Sequence, residues 1–273
     1  MSVRCRCHNH WVAPLDGLHG ERDRAESFGS AAEQYDRYRP GYPSAFIDEL
    51  MSLNPANALD IGCGTGKVAV SLMERGLPVL GLEPDVRMAD VATRHRIPVE
   101  VDSFESWDPA GRTFDLLTAG HSWHWVDPAI GLGKAASVTV PGGTVALFWN
   151  YHVLDGTLLA AFDEAYRAHA PELDVVGRDP SDSGAQDTDP FAGSPDFRSL
   201  GSRTYRWPRV LDAHEWTTML ATFSDHARLG ERRLRDLQVA LQGAIERAGG
   251  VVQSQCGTYV WMARRLDGPA DRQ

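Results

Sequence analysis

Five polar residues close five successive apolar runs, and their types bound the chemistry open to the chain: Asp60, Glu83, Asp102, His121 and Asn150. A carboxylate accepts from paired hydroxyls or holds a cation, an imidazole takes a proton near neutral pH, and a carboxamide orients a partner. Between the first two lies LDIGCGTGK, Leu59 to Lys67, where Gly62, Gly64 and Gly66 turn an apolar run that begins near Ala56 into a helix over Lys67 to Arg75. Glycine permits positive φ and lets a ligand lie against bare backbone, so one wall of the pocket is main chain. Strand, glycine turn and helix open a nucleotide-binding α/β unit.

Two phosphate-binding patterns compete for this turn. A P-loop needs glycine where Ile61 stands and Ser or Thr where Val68 stands, so it fails. The dinucleotide fingerprint fits on spacing, through Gly64, Gly66 and Ala69, and stays open on that ground. Glu83 suits the two ribose hydroxyls of either NAD or S-adenosylmethionine. Asp60 tilts the balance, because a carboxylate beside the turn can hold the cationic methionine end of S-adenosylmethionine but would repel a pyrophosphate.

The elements that must carry these residues alternate. Strands are expected to end at Asp60, at Glu83 (Val79 to Leu82), at Asp102 (Pro98 to Val101), at Phe114 to Ala119 and at Thr144 to Trp149, with helices over Asp85 to His95 and after Asp127, which can cap a helix whose first residue is Pro128. Before them, Ser27 can cap a helix through Tyr38, Arg39 to Pro43 bends, and Ser44 to Leu53 places Phe46, Ile47, Leu50 and Met51 at helical spacing. After them come a helix over Leu154 to Ala168 and an acidic stretch from Pro171 to Asp196, a surface loop or a substrate lid. A sixth strand over Phe197 to Val210, a helix over Asp212 to Leu220, a polar and aromatic junction at Phe223 to His226, a helix over Glu231 to Ala248 and a closing strand over Val251 to Met262 finish the chain. The fold class expected is α/β, a Rossmann-like doubly wound, mostly parallel seven-stranded sheet with N-terminal helices, which the resemblance given below makes a helical lid, and an insertion after strand five. Ligands of such sheets sit beyond the carboxyl ends of the strands, where all five polar residues fall.

With the glycine turn, three further segments carry a resemblance: YDRYRPGYP at Tyr35 to Pro43, HSWHWVDP at His121 to Pro128, and PGGTVALFWN from Pro141. Together they resemble the class I S-adenosylmethionine-dependent methyltransferases, in the methyltransferase type 11 or trans-aconitate methyltransferase-like small-molecule branch, from about Phe28 to Asn150. The resemblance implies a lid over the cofactor with contacts from Tyr35 and Arg39, and a cofactor site of Asp60, Gly62, Gly64, Gly66, Glu83, Met88, Asp102, Ser103, Phe104 and Ala119. In it Asp102 accepts from the adenine amino group and Phe104 packs on the ring. It also implies S-adenosylhomocysteine as product, a closing strand antiparallel to its neighbour, substrate recognition within 151–230, and a homodimer as one possible assembly.

The loop from His121 to Trp125 crowds two imidazoles and two indoles at one strand end. His124 and His121 are therefore the candidates for catalysis, with Trp123 and Trp125 giving His124 an apolar neighbourhood that favours the neutral, proton-accepting ring. The structural alternative has His124 satisfied by backbone and the tryptophans packed beneath a lid. The function expected is methyl transfer to a small-molecule acceptor at oxygen or carbon. Two alternatives stay open: a cofactor-binding protein that catalyses another rearrangement, and a noncatalytic cofactor sensor.

The 273 residues, 42% of them hydrophobic, suffice for one substantial core, read as a leader over 1–26 and a single domain over 27–273. A net charge of −10, with Arg232, Arg233 and Arg235 interleaved with Glu231 and Asp236, argues against nucleic acid as partner. The longest uncharged run, Ala135 to Leu154, is broken by Pro141, Gly142 and Gly143, so the expectation is a soluble cytoplasmic protein with no membrane span. Cys5, Cys7, Cys63 and Cys256 form no disulfide framework, and Cys5, Cys7, His8 and His10 match no trusted zinc spacing, so no metal is expected.

Overall fold

Hydrophobic alternation and glycine punctuation in the first half resolve into a run of short strands and helices. The computed structural model describes residues 18–21, 29, 31–183 and 188–267; Ser27, Cys5, Cys7, His8, His10 and most of the expected leader lie outside these. In chain order the helices and strands are α1 (Ala32–Tyr38), α2 (Ser44–Ser52), β1 (Ala58–Ile61), α3 (Lys67–Met73), β2 (Val79–Leu82), α4 (Val86–Arg94), β3 (Val99–Glu100), β4 (Phe114–Gly120), α5 (Pro128–Val138), β5 (Thr139–Val153), α6 (Gly156–His169), β6 (Phe197–Asp212), α7 (Ala213–Ala221), α8 (Ser224–Ala227), α9 (Glu231–Arg247) and β7 (Val251–Arg265). The seven strands form one sheet in the order β3-β2-β1-β4-β5-β7-β6. β1 pairs in parallel with β2 and β4, β2 with β3, and β4 with β5. Strand order reverses between β1 and β4, and that switch point opens a crevice at their carboxyl ends.

Helix starts follow local chemistry. Asp85 accepts from the Arg87 N–H and begins α4, and Asp127 accepts from the Ala129 N–H with Pro128 in the first turn of α5. Asp155 caps α6, and Asp212 forms a capping box with Glu215 at α7.

β5 departs from the expected boundaries. It begins at Thr139, which pairs with Phe114, and its register then shifts so that Thr144 pairs with Leu116. Pro141, Gly142 (φ 74°) and Gly143 occupy that irregularity, so the Pro-Gly-Gly sequence marks a bulge in a strand and not a turn before it. Asn150 consequently sits inside β5, three residues before its end at Val153, and not at a strand terminus. β3 is only two residues long.

The described residues fall into two compact units, one of 18–150, 188–205 and 258–267, the other of 151–183 and 206–257. In the first, Phe46, Ile47 and Leu50 of α2 pack with Ala69 and Leu72 of α3 and with Leu116, Ala146 and Phe148 of the sheet. Each of the Phe, Ile and Leu side chains among them, fully removed from water, contributes about 1.5–3 kcal/mol. In the second, α6 and α7 pack against α9, and the Tyr166 hydroxyl meets buried His226 Nε2 at 2.7 Å. Within that unit residues 175–178 of the acidic stretch are anchored: Val175 and Val176 are buried, Gly177 O accepts from Leu154 N at 2.9 Å, and Arg178 forks onto Asp163. No helix among the described residues is long and apolar enough to cross a membrane.

Candidate functional site

The glycine turn leaves β1 with its backbone forced into positive φ. Gly62 has φ 63°, and a side chain there would meet Ser122 Cβ at 2.5 Å. Ser122 takes that space to donate from Oγ to the Ile61 carbonyl at 2.5 Å, tying the loop after β4 to the end of β1. Gly64, φ 58°, aims its N–H at Glu83 Oε2, 2.8 Å away. Gly66 does different work: it lies against Ile97, so it permits close packing of the turn on the chain between α4 and β3.

Two buried carboxylates face this turn. Asp60 is 1% exposed; its Oδ1 accepts from Thr118 Oγ1 at 2.8 Å, while its buried Oδ2 has no hydrogen-bond partner among the described residues. Burial pushes its carboxyl up to about 7, opposed by the Thr118 hydroxyl and reinforced by the charge of Glu83. Glu83 accepts from the Gly64 N–H through Oε2 and from the Asp85 N–H through Oε1, at 2.8 and 3.0 Å. Burial pushes it also up to about 7, against those two N–H donors. A carboxylate has about four acceptor sites, so Glu83 keeps lone pairs for a ligand.

Over the carboxylates stands the segment that leaves α1. Arg39 ends the helix in extended conformation with its guanidinium 5.1 Å from the Tyr35 ring centroid. α1 is fastened from below: Lys67 Nζ donates to the Asp36 carbonyl at 2.6 Å, His95 Nε2 meets Asp36 Oδ2 at 2.9 Å, and Arg94 pairs with Glu33. Tyr42 sets its ring edge-on to Phe148, 4.7 Å between centroids, above Gly120, where any side chain would strike its hydroxyl. The result is a cleft lined by Tyr35, Arg39, Pro40, Tyr42, Asp60, Gly62, Cys63, Gly64, Lys67, Val68, Gly120, His121 and Asn150. Glu83 is not itself a lining residue and stands behind Gly64 N–H, whereas the unused carboxylate oxygen of lining Asp60 and the bare glycine wall fit a ligand that carries a cation.

A methyltransferase domain model matches residues 35–223. The chain belongs to the methyltransferase domain family. It is 40% identical over 132 residues to an uncharacterised methyltransferase of Mycobacterium tuberculosis, a match covering 47% of this chain and 54% of the relative. It is 26% identical over 140 residues to a probable S-adenosylmethionine-dependent methyltransferase of Saccharomyces cerevisiae, covering 46% of each. The matches thus span about half the length of these curated relatives. Among solved structures, a candidate type II methyltransferase of Anaeromyxobacter dehalogenans superposes with TM-score 0.64 at 22% identity, covering 85% of this chain and all of that one, a likeness of fold.

In this methyltransferase domain the expected cofactor residues Met88, Asp102, Ser103, Phe104 and Ala119 are not among those that line the cleft. Met88 is buried with Ala32, Val91 and Tyr35, and its methyl faces Gly64. Asp102 turns its Oδ1 to the Ser103 N–H at 2.7 Å and to the Ser106 hydroxyl at 2.5 Å. Phe104 is buried between Trp123, 6.2 Å between centroids, and the Lys134 ammonium, 5.7 Å from its ring. Ala119 is fully buried within β4, where it pairs with Leu147.

The two histidines of the post-β4 loop differ in engagement. His121, at φ 55°, lines the cleft, and its Nε2 accepts from the Asn150 N–H at 2.7 Å, which places the neutral ring's proton on Nδ1. His124 is not among the cleft-lining residues; its Nδ1 accepts from Trp149 Nε1 at 3.3 Å, so its neutral ring carries the proton on Nε2. In this arrangement both rings have committed their acceptor nitrogen to a protein N–H. The residues that sequence reasoning passed over are Thr118, Tyr42, Lys67 and Ser122. Tyr42 lay in plain view inside the Tyr35–Pro43 motif, whereas Thr118 becomes visible only through strand register. Among the described residues no cluster of three or more His, Cys, Asp or Glu could hold a metal.

Proposed function

We propose that this chain transfers the methyl group of S-adenosylmethionine to a small-molecule acceptor, at oxygen or carbon, leaving S-adenosylhomocysteine. The observation that carries the reading is cleft-lining Asp60, whose buried Oδ2 has no partner among the described residues, in a glycine-walled cleft of a methyltransferase-family domain. Such an orphan costs free energy in the empty protein, and a ligand ammonium would relieve it. The name of the yeast relative supports the same cofactor.

When bound, the cofactor supplies an electrophilic methyl group on a cationic sulfur. Asp60 and the glycine turn would hold its amino-acid end, and Glu83 would accept from its ribose hydroxyls. Asp102, Ser103 and Phe104, with Met88 behind, would bracket its base. Tyr35 and Arg39 would cover the cleft and exclude water, and alignment with exclusion of water supplies much of the rate for a displacement of this kind. His121 and His124 are the titratable groups on the loop nearest the acceptor side in this reading.

Calorimetry of the purified protein with S-adenosylmethionine, S-adenosylhomocysteine and NAD tests the cofactor, and release of S-adenosylhomocysteine across a panel of phenols, carboxylates and β-dicarbonyl compounds tests the transfer. Preference for NAD would overturn the cofactor assignment. Tight binding of S-adenosylmethionine, with acceptor conversion but no S-adenosylhomocysteine release, would overturn the transfer alone.

A further inference from the structure

Asn150 is 5% exposed within β5, and both ends of its side-chain amide and its backbone N–H are hydrogen-bonded. Its Nδ2 donates to the Gly41 carbonyl at 3.0 Å, its Oδ1 accepts from Thr258 Oγ1 at 2.6 Å, and its backbone N–H donates to His121 Nε2 at 2.7 Å. The amide has one possible orientation, because the Gly41 carbonyl only accepts and must face the NH2 group.

Gly41 is the middle of the five residues between α1 and α2, a bend with no strand or helix of its own. Two contacts seat that bend on the sheet: the Tyr42 ring against Phe148 and the Asn150 amide on Gly41. The first is apolar and tolerates sliding. The second is directional and sets where the backbone stands, and Arg39 and Tyr35 immediately before it line the cleft with Asp60.

We infer that Asn150 is a positioning residue, a latch that holds the Arg39–Pro43 bend so that Arg39 is aimed into the cleft, with Thr258 fixing the latch and His121 locked to the same residue. The inference rests on the cofactor reading above and adds to it a group that need not touch the cofactor. His121 fits this picture, since a non-glycine residue held at positive φ persists only where its surroundings over-determine it.

The test is a double-mutant cycle on cofactor affinity. Asn150→Ala is expected to weaken S-adenosylmethionine and S-adenosylhomocysteine binding about tenfold, the loss of one oriented hydrogen bond acting through a binding group, with the far-ultraviolet circular dichroism of wild type. Arg39→Ala should weaken binding at least as much, and adding Asn150→Ala to Arg39→Ala should cost nothing more, because the latch acts through Arg39. Asn150→Asp keeps the acceptor for Thr258 but turns an oxygen on the Gly41 carbonyl, and should match Asn150→Ala. Wild-type affinity in Asn150→Ala, or losses that simply add in the double mutant, would overturn the latch. If Asn150→Ala does not fold, Thr258→Val reads the same cycle through a milder loss of about threefold, and additivity there is equally fatal. A wild-type protein that binds neither compound would instead refute the cofactor reading itself.

Discussion

Thr118 and Asp60 are lateral neighbours on parallel strands β4 and β1, and the Thr118 hydroxyl donates to one carboxylate oxygen of Asp60 at 2.8 Å while the other is buried without a partner among the described residues. A carboxylate that lines the cleft thus keeps one oxygen unused. Asp60→Asn keeps an oxygen for Thr118 and replaces the unused oxygen with an NH2 donor. Affinity for S-adenosylmethionine should fall by at least about tenfold, the scale of a hydrogen bond to a charged group, with thermal stability equal to wild type or higher because a buried ionisable carboxyl is replaced by a neutral amide. Calorimetry paired with thermal denaturation decides it, and unchanged affinity would remove Asp60 from the site.

Glu83 holds the Gly64 and Asp85 N–H groups, so its removal acts on the turn as well as on a ligand. Glu83→Ala should weaken cofactor binding roughly tenfold to more than a hundredfold, at about 1.5–3 kcal/mol for charge-assisted hydrogen bonds. It should also lower stability by about 1–3 kcal/mol, because two turn amides lose their acceptor. The variant is expected to remain folded at 25 °C with a lower Tm. A folded variant with intact affinity would exclude a ribose contact.

How much of this was readable beforehand depended on distance along the chain. The turn at Gly62, Gly64 and Gly66, the cap at Asp127 with Pro128, and β2 at Val79–Leu82 are local features, and local chemistry is written in consecutive residues. Thr118 beside Asp60 is a matter of register between strands 58 residues apart, which no window reveals. Pro141-Gly142-Gly143 reads as a turn and so puts Asn150 at a strand end, whereas these residues form a bulge that only the pairing with β4 reveals. The acceptor nitrogens of His121 and His124 likewise depend on which N–H groups β5 delivers to them.

Asp60 and Glu83 make cofactor affinity depend on pH. Burial pushes both carboxyls up to about 7, while the Cys63 thiol and the Tyr35 and Tyr42 phenols are pushed upward and stay neutral near that pH. Between their ordinary range near 4 and about 7, the folded protein holds protons that the unfolded chain has released, so stability of the empty protein declines as pH rises through that window. A cationic ligand favours the ionised carboxylates and must expel those protons below pH 7. Affinity for S-adenosylmethionine is therefore expected to rise with pH up to about 7, by as much as about tenfold per unit for each proton released, and to level off above. Titrations at pH 6 in two buffers of different ionisation enthalpy count the released protons directly, and a count of zero would contradict the coupling.

His124 offers the sharpest test of chemistry on the post-β4 loop. Its Nδ1 accepts from Trp149 Nε1, and its ring lies 4.9 Å from that of Trp125, so the neutral imidazole presents Nε2–H. A group in that state donates a hydrogen bond, and it can take a proton only after the Trp149 contact opens. Glutamine can copy both roles, with its carbonyl on Trp149 and its NH2 directed outward. The expectation is that His124→Gln keeps turnover within several-fold of wild type, while His124→Ala, which leaves the Trp149 N–H without an acceptor, loses about tenfold, the scale of one unmade buried hydrogen bond. Single-turnover rates with saturating cofactor measure this apart from binding. A fall of about 100 to 10,000-fold in His124→Gln, the range of a lost general base, with cofactor affinity intact would instead establish that the ring turns its lone pair to the acceptor during the reaction.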